Sequence, residues 1–152
     1  MREIAVVLGS ESDMKFWEDS KKYLEYFELS ADVQVLSAHR NPDQLKNFAL
    51  TAREKGYKII IAAAGMAAHL AGVIAAYSDL PVLGVPLPGG MMDGLDALLS
   101  TLQMPAGVPV ATFAVGIAGM RNACIFSAII LSLNNGELEE KLKIFKQRGA
   151  RL

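Results

Sequence analysis

Three short stretches of this chain carry residues suited to chemistry. Ser37-Ala38-His39-Arg40-Asn41-Pro42 holds one of only two histidines. Arg40 can grip an anion through paired N–H groups, and His39 can move a proton near neutral pH. Asn41 as N-cap, Pro42 at the first helical position and Gln44 at the third mark a helix start, whose positive end favours anions. An exposed loop with a solvated arginine would read the same way. Gly9-Ser10-Glu11-Ser12-Asp13 adds two hydroxyls and a carboxylate. Its serines can donate to an oxyanion, and Asp13 can accept from sugar hydroxyls. Capping is the competing reading, with Ser10 or Ser12 as N-cap and Asp13 favouring the dipole. In Ala64-Gly65-Met66-Ala67-Ala68-His69-Leu70 the small residues let backbone line a planar ligand.

The elements that must position these stretches follow from the hydropathy pattern. Ile4 to Leu8 is a continuous apolar run, as expected of a strand buried on both faces. Val33 to Leu36, Ile59 to Ala63, Val82 to Val85 and Val110 to Val115 read as further strands. Helical segments run from the Ser12 region to about Phe27, Pro42 to Lys55, His69 to about Tyr77, Leu95 to Gln103, Arg121 to Leu133 and Glu137 to Arg148. Met14, Trp17, Leu24 and Phe27 form one core-facing stripe. Leu87 to Asp93 is a loop, and Met91 and Met92 suit either a mobile flap or a subunit contact. Five strands alternating with helices predict a single α/β domain over 1–152, a three-layer αβα sandwich on a parallel five-stranded sheet. Right-handed crossovers then bring all three chemical stretches to one rim of the sheet, where open α/β sheets bind ligands.

Composition narrows the function classes. At 52% hydrophobic and 20% charged residues the chain is globular. A net charge of −1 argues against a nucleic-acid binder. One cysteine, Cys124, allows neither an intramolecular disulfide nor a cysteine-built metal site, and no metal-ligand cluster or phosphate-loop motif is evident. The uncharged run Ile59 to Ser78 is interrupted by Gly65, His69 and Gly72, and reads as strand plus helix instead of a membrane span. A cytoplasmic protein without membrane partners is expected.

With these stretches in hand, the chain resembles the class I N5-carboxyaminoimidazole ribonucleotide mutases of purine biosynthesis. Gly9 to Asp13 matches the family's Gly-Ser-x-Ser-Asp, and Ser37 to Pro42 matches Ser-Ala-His-Arg-Thr-Pro with Asn41 for Thr. Ala62 to Gly72 matches a third motif with Ala63 and Met66 for glycines and Ala71 for proline. Leu80 to Pro86 and Gln103 to Thr112 match two more. Met66 puts a bulky side chain where the motif has glycine; it either reshapes the pocket or points away from it.

The resemblance implies a flavodoxin-like or Rossmann-like sheet, a ribonucleotide substrate and no cofactor or metal. It implies that Ser10, Ser37 and Arg40 hold the phosphate, Ser12 and Asp13 the ribose end, and Gly65, Ala67 and Leu70 the imidazole and carboxylate. His39 is then the proton carrier, with His69 nearby ordering water or the loop. It also implies a homo-octamer with the helices of 121–148 in the contacts. Two alternatives stand: a class II carboxylase using free CO2, and a non-enzymatic flavin- or nucleotide-binding module. The class II enzymes carry Arg-Ser-Asn near the positions of Gly65-Met66-Ala67; this chain has no arginine there and keeps His69, which favours class I.

Overall fold

The computed structural model describes residues 2–152. Strands β1 (Ile4–Leu8), β2 (Ala31–Val35), β3 (Ile59–Gly65), β4 (Val82–Leu87) and β5 (Ala111–Thr112) form one sheet in the order β2-β1-β3-β4-β5. Every pairing is parallel. The helices are α1 (Met14–Ser20), α2 (Lys22–Tyr26), α3 (Pro42–Thr51), α4 (Leu70–Tyr77), α5 (Leu95–Leu102), α6 (Ile117–Ser132) and α7 (Gly136–Gln147). This is the flavodoxin-like strand order, and its switch point lies between β1 and β3. Among the described residues no helix is long and apolar enough to cross a membrane.

The strand period of two sorts the core into two layers. Ile4, Val6 and Leu8 of β1, with Ile59 and Ile61 of β3, pack under α1, α2, α6 and α7. Ala5, Val7, Ile60 and Ala62 face the other way, under α3 and α4. The bulkier side of the sheet takes four helices, among them the two longest, α6 and α7. There Phe145 of α7 meets Tyr23, Tyr26 and Phe27 at centroid distances of 6.3, 5.4 and 5.3 Å. Cys124 is buried in this layer, and burial pushes its thiol up to about 12, which leaves it unreactive at neutral pH.

Several boundaries differ from the sequence expectation for local reasons. β4 continues through Pro86 to Leu87, because both residues still pair with β3, opposite Ala64 and Gly65; on the other side the Pro86 carbonyl accepts from the Gly116 N–H at 2.8 Å. β5 pairs only at Ala111 and Thr112, and the Phe113 N–H adds one bond to Gly84 O at 2.9 Å. The chain then turns at Gly116, φ 81°, and α6 begins at Ile117 instead of Arg121. Gly119 makes that early start possible: a Cβ there would lie 1.7 Å from the Ala114 carbonyl oxygen. α6 is not buried on all sides by this chain. Met120, Ala123, Cys124, Ser127 and Ala128 are buried, whereas Phe126 and, just past the helix end, Leu133 are exposed.

Candidate active site

The loops after β1, β2 and β3 close around one open cavity of about 760 Å³ at the carboxyl edge of the sheet. Gly9 brings the first and third loops together: its N–H donates to Ala63 O at 3.0 Å, and a Cβ there would meet the Ala64 Cβ at 3.2 Å. Ser10, Ser12, Asp13, Ser37, His39, Arg40, Gly65, Ala67, His69 and Leu70 all line the cavity. Three separated stretches thus become one site, as the crossover rule anticipates.

The serines sit in a defined hydrogen-bonding state. Ser10 Oγ accepts from the Ser12 N–H at 3.4 Å and from the Ser12 hydroxyl at 3.1 Å. Ser37 Oγ accepts from the His39 and Arg40 N–H groups at 3.3 and 3.1 Å. A hydroxyl has two lone pairs and one proton. With both lone pairs engaged, each serine has only its O–H left, so each is set to donate to an anion. Capping and anion binding are therefore compatible roles of the same atoms. Arg40 is exposed, and among the described residues no carboxylate pairs with it. Its guanidinium is free for a ligand.

Asn41 does not cap α3 with its side chain as the sequence suggested. Its Oδ1 accepts from the Ser37 N–H at 3.3 Å, and its own N–H donates to Ser37 O at 2.9 Å. The pair of bonds closes the turn on which His39 and Arg40 ride. Asp13 is half-buried, and desolvation raises its carboxyl above the ordinary carboxylate value, offset in part by a backbone hydrogen bond from Ser10 and the charge of Lys15.

The two histidines are in direct contact. His39 Nε2 lies 2.7 Å from His69 Nδ1, and the rings meet edge to face with centroids 4.9 Å apart. His69 precedes α4, so its backbone position is fixed by the start of that helix: the Val73 N–H donates to His69 O at 2.9 Å. Sequence reasoning placed His69 near the site without this contact. It also missed Ser100 on α5, whose hydroxyl accepts from the Ala68 N–H at 2.9 Å and pins the third loop. Nothing local in the sequence marks that serine. Pro88 and Gly89, from the loop after β4, complete the wall; their place after a strand was the available signal.

Comparison with known proteins agrees with this arrangement. The curated N5-carboxyaminoimidazole ribonucleotide mutase of Pyrococcus abyssi is 46% identical over 147 residues, covering 97% of this chain and 83% of that protein. The enzyme of the same name from Escherichia coli K12 is 44% identical over 144 residues, covering 95% and 85%. A crystal structure of Treponema denticola PurE superposes with a TM-score of 0.84 at 24% identity, covering 97% of this chain and 90% of that one, a likeness of fold. A model of the AIR carboxylase family matches residues 3–151. Match and identity extend over almost the full chain and take in each of the three loops, and the chain belongs to the AIR carboxylase family.

Proposed function

We propose that this chain is an N5-carboxyaminoimidazole ribonucleotide mutase, converting that substrate to 4-carboxy-5-aminoimidazole ribonucleotide. The observation that carries the reading is the His39–His69 pair, 2.7 Å apart in a cavity whose third loop, Gly65-Met66-Ala67, has no arginine. In this reading Ser10, Ser37 and Arg40 receive the phosphate, Ser12 and Asp13 the ribose end, and Gly65, Ala67 and Leu70 the imidazole and its carboxylate.

The chemistry asks little of the protein beyond proton transfer and confinement. His39 in its protonated form gives a proton to the exocyclic nitrogen. The nitrogen–carboxyl bond breaks, its electron pair stays on nitrogen, and CO2 is released into the cavity. C-4 of the aminoimidazole, enamine-like and nucleophilic, attacks the trapped CO2 and forms the new carbon–carbon bond. His39, now neutral, removes the C-4 proton and returns to its starting state. No atom is gained or lost, and no cofactor or metal takes part. Confinement replaces a bimolecular encounter, and general acid–base transfer contributes about 10²–10⁴-fold. His69 orients the His39 ring.

The reading extends to a cytoplasmic homo-octamer in which subunits complete each other's sites, with the helices of 121–148 in the contacts. Exposed Met91, Met92, Leu99, Leu102 and Leu133 support an assembly. Turnover in labelled bicarbonate tests the reaction. The expected result is conversion of the N5-carboxy substrate with little label in product. Obligatory, stoichiometric label uptake from aminoimidazole ribonucleotide would instead identify a class II carboxylase.

A further inference from the structure

Met66 is an outlier on three counts. Its backbone is left-handed, at φ 54°, a conformation that glycine adopts freely and methionine does not. Its side chain is 68% exposed, so burial in this chain does not offset the strain. It also lines the cavity between Gly65 and Ala67, where it is the one large apolar side chain on the wall that is exposed. Leu70, the other long aliphatic group near it, is buried.

The backbone is held in this state from outside the loop. Ser100 Oγ donates its one proton to Asp96 O on its own helix at 2.8 Å and accepts from the Ala68 N–H at 2.9 Å, while the same Ala68 N–H reaches Met66 O at 2.9 Å and closes the turn around Met66. Strain that is over-determined by its surroundings and sits at a ligand site points to a functional use of the residue held there. The same wall carries Arg40, Asp13, Ser12 and the two histidines, polar groups suited to the substrate and not to CO2. A flexible, unbranched thioether adapts to irregular surfaces and folds over flat rings.

We infer that the Met66 side chain closes the mouth of the cavity over the bound imidazole and retains released CO2 against C-4, a role that rests on the mutase reading above. CO2 is small and carries no net charge or dipole, so the charged groups on the wall grip it only weakly; an apolar cover retains it. Without the cover, trapped CO2 exchanges with CO2 from solution before C-4 recaptures it.

The test follows label in product during turnover of unlabelled N5-carboxy substrate, with labelled CO2 held in equilibrium with bicarbonate. Native protein, Met66→Gly and Met66→Asn are compared, and thermal denaturation checks the fold of each. Glycine relieves the backbone strain, and asparagine tolerates the left-handed conformation; both remove the thioether. The expected result is a several-fold larger labelled fraction in both variants, with melting temperatures at or above native. A labelled fraction equal to native in both variants overturns the role of Met66 and leaves the mutase reading intact. Excess label with glycine alone traces the leak to loop mobility, and also overturns it. Full labelling with native protein, or no turnover of the N5-carboxy substrate, overturns the mutase reading and this inference with it.

Discussion

His39 Nε2 and His69 Nδ1 face each other at 2.7 Å across a sequence separation of 30 residues. A hydrogen bond between ring nitrogens needs one donor and one acceptor, so at least one of the two facing nitrogens carries no proton. The contact fixes the orientation of the His39 ring and ties its tautomer to that of His69. If His39 carries the proton and His69 orients it, their substitutions are not additive. His39→Asn should fold normally and lose at least about a hundredfold in turnover. His69→Ala should lose less, and the double variant should be little worse than His39→Asn. A coupling of about 0.5–3 kcal/mol in the double-mutant cycle is expected; additive losses would mean the two rings act separately.

Arg40 lines the same cavity beside His39 and carries the binding role. Loss of a charge-assisted hydrogen bond costs about 1.5–3 kcal/mol, or roughly ten- to a hundredfold in affinity. Arg40→Ala should therefore raise KM with a small change in kcat, and Arg40→Lys should recover part of the loss. Steady-state kinetics decide this. An effect confined to kcat would remove Arg40 from phosphate binding.

Ser10 and Ser37 separate a binding role from a structural one. Each hydroxyl accepts twice within its own loop and keeps one proton to donate. Ser10→Ala should raise KM, because it removes a donor from an exposed turn. Ser37→Ala should raise KM and also lower kcat, because the same Oγ holds the His39 and Arg40 N–H groups. Equal kinetic profiles for the two variants would contradict that division.

Much of this was legible in the sequence, for physical reasons that particular residues make plain. Ile4 to Leu8 and Ile59 to Ala63 are apolar without interruption because both sheet faces are covered. Ser10 and His39 follow β1 and β2, and Gly65 ends β3, so the parallel topology alone brings them to one rim. The His39–His69 distance was not legible, since it depends on how the loops after β2 and β3 bend once adjacent to β1. The side chain of Asn41 turned back to Ser37 where a cap was expected, accepting from the Ser37 N–H and closing the preceding turn. The start of α6 depended on one close approach, Gly119 against Ala114 O, which no local pattern encodes.

Asp13 gives a pH-dependent prediction on stability. Burial raises its folded-state value above 3.8. The folded protein then binds a proton more tightly than the unfolded chain, and stability falls as pH rises from the unfolded value through the folded one. Above that window the charged, half-buried carboxylate is a net cost. Asp13→Asn keeps an acceptor for the Ser10 backbone and removes the charge, so the variant should be more stable than native at pH 7. The gain should vanish in acid below pH 3.8, where native Asp13 is protonated in both states. Denaturant melts at several pH values measure this; a gain independent of pH would assign it to something other than charge. Substrate affinity should fall in the same variant, a trade between site and stability.

Assembly is best tested away from the core. Ile125 and Ile129 of α6 pack partly against the core of their own chain, so a charge there would damage folding as well as contacts. Leu99 and Leu102 of α5 are 48% and 51% exposed, and Met91 and Met92 are more exposed still. Met91 and Met92 directly follow the Pro88 and Gly89 that line the cavity, and α5 begins just after them, so an interface here would join subunit contact to the site. Leu102→Asp places a charge that water solvates in the isolated chain but that an apolar interface would bury without a partner. The expected outcome is a normal circular dichroism spectrum, a smaller particle by light scattering, and activity that falls in step with assembly. A native protein that scatters as an active monomer would remove both the octamer and the shared site; a Leu102→Asp octamer of native activity would remove α5 from the interface.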